Sequence, residues 1–182
     1  VQPARMASSS QDTPDESRHA SPLSKECVCI GSPYRLPPGT DTSLRVGNPH
    51  YGRRMQLYCR TGYNLVINED ATVEGIDADM DACAIMEFTS VDFGGLVRIR
   101  GIKSNYYLAM NKKGRLYGEP NPEEDETVFI EGVLGQYNTY MSYKYKKFKW
   151  YVAIKKTGKQ KPGHKTKWGQ KAIQFLPRRT AE

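Results

Sequence analysis

Three segments of this chain repeat at a nearly fixed interval, and a fixed interval restricts architecture more than any local propensity does. "NLVINEDATVEG" begins at Asn64, "YLAMNKKGRLYG" at Tyr107 and "YVAIKKTGKQKPG" at Tyr151. Each reads as a short strand, a four-residue turn and a second strand. Their apolar triads, Leu65/Val66/Ile67, Leu108/Ala109/Met110 and Val152/Ala153/Ile154, are offset by 43 and then 44 residues. A second series, "AIMEF", "VFIEG" and "AIQFL", places Ile85, Phe129 and Ile173 at intervals of 44.

Three repeats of about four short strands predict about twelve strands and an all-β chain. A threefold all-β unit of this length fits a β-trefoil, in which six strands close a barrel and three hairpins cover one end. Closure removes the strand edges that an open sheet would expose to other chains. Gly114 and Gly158 stand where each hairpin turn needs a left-handed residue, and Ala71 holds that place in the first repeat. The repeats occupy the later part of the chain. Residues 1–52 are rich in Ser, Pro, Asp and Gly and poor in large apolar side chains, which predicts a flexible arm ahead of a folded domain over 53–182.

Charge is segregated along the chain. Its formal net charge is +7, but the thirteen Lys and Arg between Lys144 and Arg179 are accompanied by no Asp or Glu, while most of the acids lie between Glu69 and Glu131. Such a field attracts polyanions and steers their approach. "KKTGKQKPGHKTKWGQK", residues 155–171, concentrates seven lysines on a stretch whose Pro and Gly oppose a regular helix. Lysines on an irregular loop act as point charges that follow anions of variable position, whereas base-edge reading favours Arg. A sulfated polysaccharide therefore fits better than a specific nucleic-acid sequence, although non-specific RNA or DNA binding carries the same electrostatic signature.

Catalytic and metal chemistry find little support. The three histidines are His19, His50 and His164, two of them in or beside the arm, and no nucleophile-and-base cluster can be assembled around them. "EPNPEEDE", residues 119–126, lacks the spacing and glycine of a calcium loop and reads as an exposed acidic turn. Cys27 and Cys29 lie in the arm, and Cys59 and Cys83 read as buried small hydrophobes, so neither a zinc pattern nor a disulfide framework emerges. No apolar run reaches membrane-spanning length, and the first residues carry no apolar core of the signal-peptide type.

"YLAMNKKGRLYG" (107–118), "YNTY" (137–140), "WYVAIKKTGK" (150–159) and "GQKAIQFLP" (169–177) resemble the fibroblast growth factor family over about 57–179. "CRTGYNL" and "SNYYLAMNKKG" are most similar to the keratinocyte growth factor branch, and "GQKAIQFLP" to the acidic and basic factors. The resemblance implies a secreted, extracellular β-trefoil ligand that binds heparan sulfate (heparin) and a receptor tyrosine kinase together, and so pairs two receptors. It implies no enzymatic cofactor, the polysaccharide being a co-ligand. Carried over by position, the sulfate-binding set would be Lys155, Lys156, Lys161, Lys165, Gln170 and Lys171, with the backbone of Ala172. Where the family carries an Asn two positions after the first-strand cysteine, this chain has Thr61. The receptor-facing set would be Tyr58, Tyr137 and Leu176, with Asn138 and Glu131 as polar partners. The competing reading is an intracellular polyanion-binding trefoil module without receptor activity.

Overall fold

A computed structural model describes residues 54–92 and 95–180, so the arm expected over 1–52 lies outside the described residues. The strands are β1 (Arg54–Cys59), β2 (Tyr63–Ile67), β3 (Val73–Ile76), β4 (Met86–Asp92) and β5 (Leu96–Gly101) in the first half. β6 (Tyr107–Met110), β7 (Leu116–Glu119), β8 (Phe129–Leu134), β9 (Tyr137–Ser142) and β10 (Phe175–Arg179) follow. All pairings are antiparallel. Hydrogen-bonded neighbours run β1–β10–β9–β8–β5–β4 and return to β1, closing a six-stranded barrel.

Two hairpins, β2–β3 and β6–β7, stand on this barrel. The third repeat supplies the remaining hairpin through two isolated bridges, Met141 to Tyr151 and Ile154 to Gln160. The twelve expected strands are thus ten strands and a bridged hairpin. The backbone there pairs with several different elements and forms no ladder: Val152 N–H donates to Tyr140, Ile154 N–H to Ala172 and Lys161 N–H to Ala153.

The core follows from strand alternation. Met55, Leu57 and Cys59 of β1, Met86 and Phe88 of β4, Val97 and Ile99 of β5 and Phe175 of β10 point inward and are buried. Tyr140 lies between Phe88 and Phe175, with ring centroids 5.9 and 6.1 Å away. All nine residues of the apolar triads are buried.

The second repeat series is corrected by the structure. Each crossover ends in a three-residue 3-10 turn, at Ala82–Ala84, Asp125–Thr127 and Lys171–Ile173, followed by one extended residue and then a barrel strand. Phe129 therefore corresponds to Met86 and Phe175, and not to Ile85 and Ile173. The offsets become 43 and 46 residues, so the third repeat is longer than its hairpin alone suggests. Its extra residues fall between Gly158 and Lys171, in the basic stretch.

The hairpins lock together in a cycle. Gly75 N–H donates to Gly158 C=O at 2.6 Å, Gly118 N–H to Ala71 C=O at 2.8 Å and Gly163 N–H to Gly114 C=O at 2.6 Å. The acceptors are the three left-handed turn residues, with φ of 64° at Ala71, 70° at Gly114 and 76° at Gly158. Ala71 adopts a conformation that a Cβ opposes by about 1–2 kcal/mol. Ala71→Gly should raise the melting temperature by about 2–4 °C, since part of that gain is offset by unfolded-chain entropy; differential scanning calorimetry would check it.

A polar clamp holds the segment 143–150 against the second repeat. Glu126, expected in an exposed acidic turn, is half-buried and accepts hydrogen bonds from Tyr117 Oη at 2.6 Å, Tyr145 Oη at 2.8 Å and Lys144 Nζ at 3.1 Å. Burial opposes its charge, but these bonds outweigh burial and hold its carboxyl below the usual range. The partners move oppositely. Burial and the Glu126 carboxylate push Tyr145 up to about 12 and raise Tyr117 further. Glu126→Gln should destabilise the domain by about 2 kcal/mol at neutral pH, because charge-assisted bonds are lost inside the fold. A depressed carboxyl contributes stability above its unfolded value of 4.5 and loses it as pH falls through the folded value. The gap between Glu126→Gln and the parent should therefore shrink below about pH 4.5 in urea titrations.

Candidate functional site

The basic stretch wraps one side of the third hairpin and returns to β10. Lys155 N–H donates to Lys159 C=O, closing the turn from which Lys155 and Lys156 project into solvent. Lys161 Nζ donates to Gln170 Oε1 at 2.8 Å, and Lys167 N–H donates to the same oxygen at 3.2 Å, so Gln170 ties the two ends of the loop. Thr61 Oγ1 donates to Ile154 C=O at 3.2 Å, which fastens the β1–β2 turn to the hairpin. Together Thr61, Lys155, Lys156, Lys161, Gln170, Lys171 and Ala172 line one open depression of 460 Å³. Lys165 does not line it. It is exposed at the end of the 3-10 turn Gly163–Lys165. Among the described residues no acidic side chain lines the depression. Convergent ammonium groups without a carboxylate repel one another, and an anionic ligand relieves that repulsion.

The second set of residues gathers on the adjoining face through strand register. Tyr58 of β1 pairs with Leu176 of β10, and Phe175 pairs with Asn138 of β9. Tyr137 starts β9 after the two-residue turn Gly135–Gln136. Asn138 Nδ2 donates to Glu131 Oε1 at 2.8 Å, and Tyr140 Oη donates to the same oxygen at 3.2 Å, so Glu131 and Asn138 hold each other in place. Leu176 is 41% exposed, while Tyr58 and Tyr137 are half-buried with their rings against cations. Arg178 lies over Tyr58 at 3.6 Å and reaches Asp79 at 3.3 Å. Arg60 lies 5.2 Å from the centre of the Tyr137 ring.

Residues 53–176 match the family model for fibroblast growth factor. The chain is a member of the fibroblast growth factor family. It is 40% identical to fibroblast growth factor 1 of Xenopus laevis over 74% of this chain and 86% of the relative. Against fibroblast growth factor 2 of Gallus gallus it is 40% identical over 70% of this chain and 80% of the relative. With fibroblast growth factor 1 of Notophthalmus viridescens it shares 42% over 66% and 92% respectively. Its family role is that of a growth factor, and its closed six-stranded barrel with three hairpins is a β-trefoil. Among the described residues no helix is long and apolar enough to cross a membrane.

Some contacts of this growth factor had no sequence signal. Arg60, the neighbour of Thr61, turns away from the lysines: its Nη1 donates to Gln174 Oε1 at 2.8 Å and its guanidinium faces Tyr137. Gln174 is buried, and its Nε2 donates to Gly169 C=O at 3.1 Å. Arg60 and Gln174 thus join the basic depression to the tyrosine face, a link set by the β1–β10 register. Trp168 packs on Tyr151 with centroids 5.9 Å apart and remains 56% exposed. Thr127 is buried, and its hydroxyl donates to Glu124 C=O at 2.7 Å.

Cys59 lies beneath the depression, its Sγ 3.4 Å from Ala172 C=O and 3.8 Å from both Ile154 and Lys171 C=O. Burial pushes its thiol above the ordinary value. Cys83 is half-buried, and burial raises its thiol too. Because exposure then decides the rate, a thiol reagent at neutral pH should modify Cys83 well before Cys59 in the folded protein. Peptide mapping by mass spectrometry would show it, and urea should abolish the difference.

Proposed function

We propose that this growth factor is secreted, binds heparan sulfate through the lysine-lined depression, and presents the adjoining tyrosine face to a fibroblast growth factor receptor tyrosine kinase. The polysaccharide acts as a co-ligand that helps bring two receptors together. The observation that carries the reading is the convergence of Lys155, Lys156, Lys161 and Lys171 around a depression that no acid among the described residues lines. Spaced ammonium groups on a braced loop suit the irregular sulfate pattern of such a chain, and Gln170 and Thr61 preorganise that loop.

On the tyrosine face, Tyr58, Tyr137 and Leu176 supply area at little entropic cost, and the Glu131–Asn138 pair supplies oriented polar groups. Arg178 lies over Tyr58 and is paired with Asp79, so it braces this face without adding net charge to it. Lys165, outside the depression, extends the positive field toward a longer chain.

The deciding experiment measures receptor phosphorylation in receptor-bearing cells with and without added heparin, alongside elution from a heparin column. Tyr137→Ala should lower signalling potency at least about tenfold, equivalent to about 1.4 kcal/mol of receptor binding, and leave the elution salt unchanged. The triple substitution Lys155→Gln, Lys156→Gln, Lys165→Gln should elute at clearly lower salt with a melting point shift equivalent to less than about 0.5 kcal/mol. Retention on heparin without any phosphorylation would instead support the intracellular polyanion-binding module.

A further inference from the structure

The third hairpin departs from the threefold pattern at one position of its second strand. Val73 and Leu116 hold that position in the first two repeats and are buried, whereas the third repeat has Gln160, only half-buried. Its side chain turns to the neighbouring hairpin: Oε1 accepts from Leu116 N–H at 2.6 Å and Nε2 donates to Leu116 C=O at 2.9 Å. Both backbone polar groups of Leu116 are thereby satisfied by one amide, and the hairpins are locked side by side. The Gly163–Gly114 bond and the contact of His164 Nδ1 with Lys113 C=O at 3.2 Å fix the β6–β7 turn against the same segment.

Between the locked hairpins runs a cleft of 280 Å³ lined by Arg115, Lys155, Lys159, Gln160 and Pro162. Gln160 is held on Leu116 by both its polar atoms, and the charged lining of the cleft, Arg115, Lys155 and Lys159, is cationic. No carboxylate lines the cleft among the described residues. Lys112 and Lys113 are exposed on the adjoining turn. The turn itself does not call for positive charge: Asn111 Oδ1 shapes it by accepting from the N–H groups of Lys113 and Arg115, and Gly114 supplies the left-handed residue. Lys155 borders both this cleft and the larger depression.

We propose that this cleft is a second anion subsite, taking sulfate or carboxylate groups of the same glycosaminoglycan chain, with Lys155 shared between the two. The inference rests on the polysaccharide reading of the first depression. Arg115 brings a fork-shaped donor set that the lysine depression lacks, suited to two oxygens of one sulfate or carboxylate. Subsites joined on one chain bind cooperatively through effective concentration, so affinity rises with oligosaccharide length until both are filled.

The test compares a heparin tetrasaccharide with a heparin dodecasaccharide by calorimetry. Arg115→Gln with Lys159→Gln should weaken dodecasaccharide binding about tenfold, flatten its salt dependence by about one to two ions, and leave tetrasaccharide binding unchanged. Lys156→Gln with Lys171→Gln should weaken both. If Arg115→Gln with Lys159→Gln changes neither oligosaccharide, or both equally, while Lys156→Gln with Lys171→Gln still weakens both, the second subsite is overturned and the first stands. If Lys156→Gln with Lys171→Gln weakens neither, the polysaccharide reading itself is overturned.

Discussion

Three backbone hydrogen bonds, passed in a ring from hairpin to hairpin, are the constraint on which the rest of this molecule depends. Each N–H comes from a glycine, Gly75, Gly118 or Gly163, and each carbonyl from a left-handed turn residue of another repeat. The approach leaves no room for a side chain. A Cβ would lie 2.8 Å from Tyr63 Cβ at Gly75, 2.9 Å from Tyr106 Cβ at Gly118 and 2.8 Å from Trp150 Cβ at Gly163. Those aromatic residues pack against the barrel core, so the ring of bonds and the core are one structure. No repeat can form its cap alone, which is why the period in the sequence carries so much information about the fold.

The candidate binding surface lies where the threefold symmetry is broken. The first two hairpins begin their second strands with a core residue, Val73 or Leu116, whereas the third carries Gln160 at that place and a longer connection to β10. The barrel and the glycine ring hold both ends of that connection, so its middle can be polar and irregular. Lysines there face water without being asked to stabilise the core. Thr61, Gln170 and Gln160 then convert a loop into a braced surface with few hydrogen bonds each.

The tyrosine face is built differently, from strand register. Placing Tyr58 beside Leu176 and Phe175 beside Asn138 requires β1, β10 and β9 to be consecutive in the barrel, though they are distant in the chain. A slip of one residue would turn Tyr58 inward and Leu57 outward. The core residues Met55, Leu57 and Cys59 prevent such a slip, so burial on one side of the sheet fixes the chemistry on the other.

The apolar triads and turn glycines made the barrel-and-hairpin plan legible, because period and turn chemistry are local properties of the chain. The segregation of charge likewise marked out the lysine stretch. Equivalent strand positions were legible less well: Ile85 and Ile173 matched Phe129 by spacing, but the lengthened third crossover shifts the true partners to Met86 and Phe175. The acidic run 119–126 looked exposed, yet Glu126 turns inward because Tyr117 and Tyr145, from two different repeats, offer it hydroxyls. The sequence by itself determined the repeat, the turn conformations and the sign of the field, since each depends on residue types at fixed separations. Only the tertiary structure decided that Lys165 stands outside the depression, that Arg60 faces Tyr137, and that Lys155 borders two clefts. Those facts depend on which side chain reaches which carbonyl across the fold, and separation along the chain does not encode that.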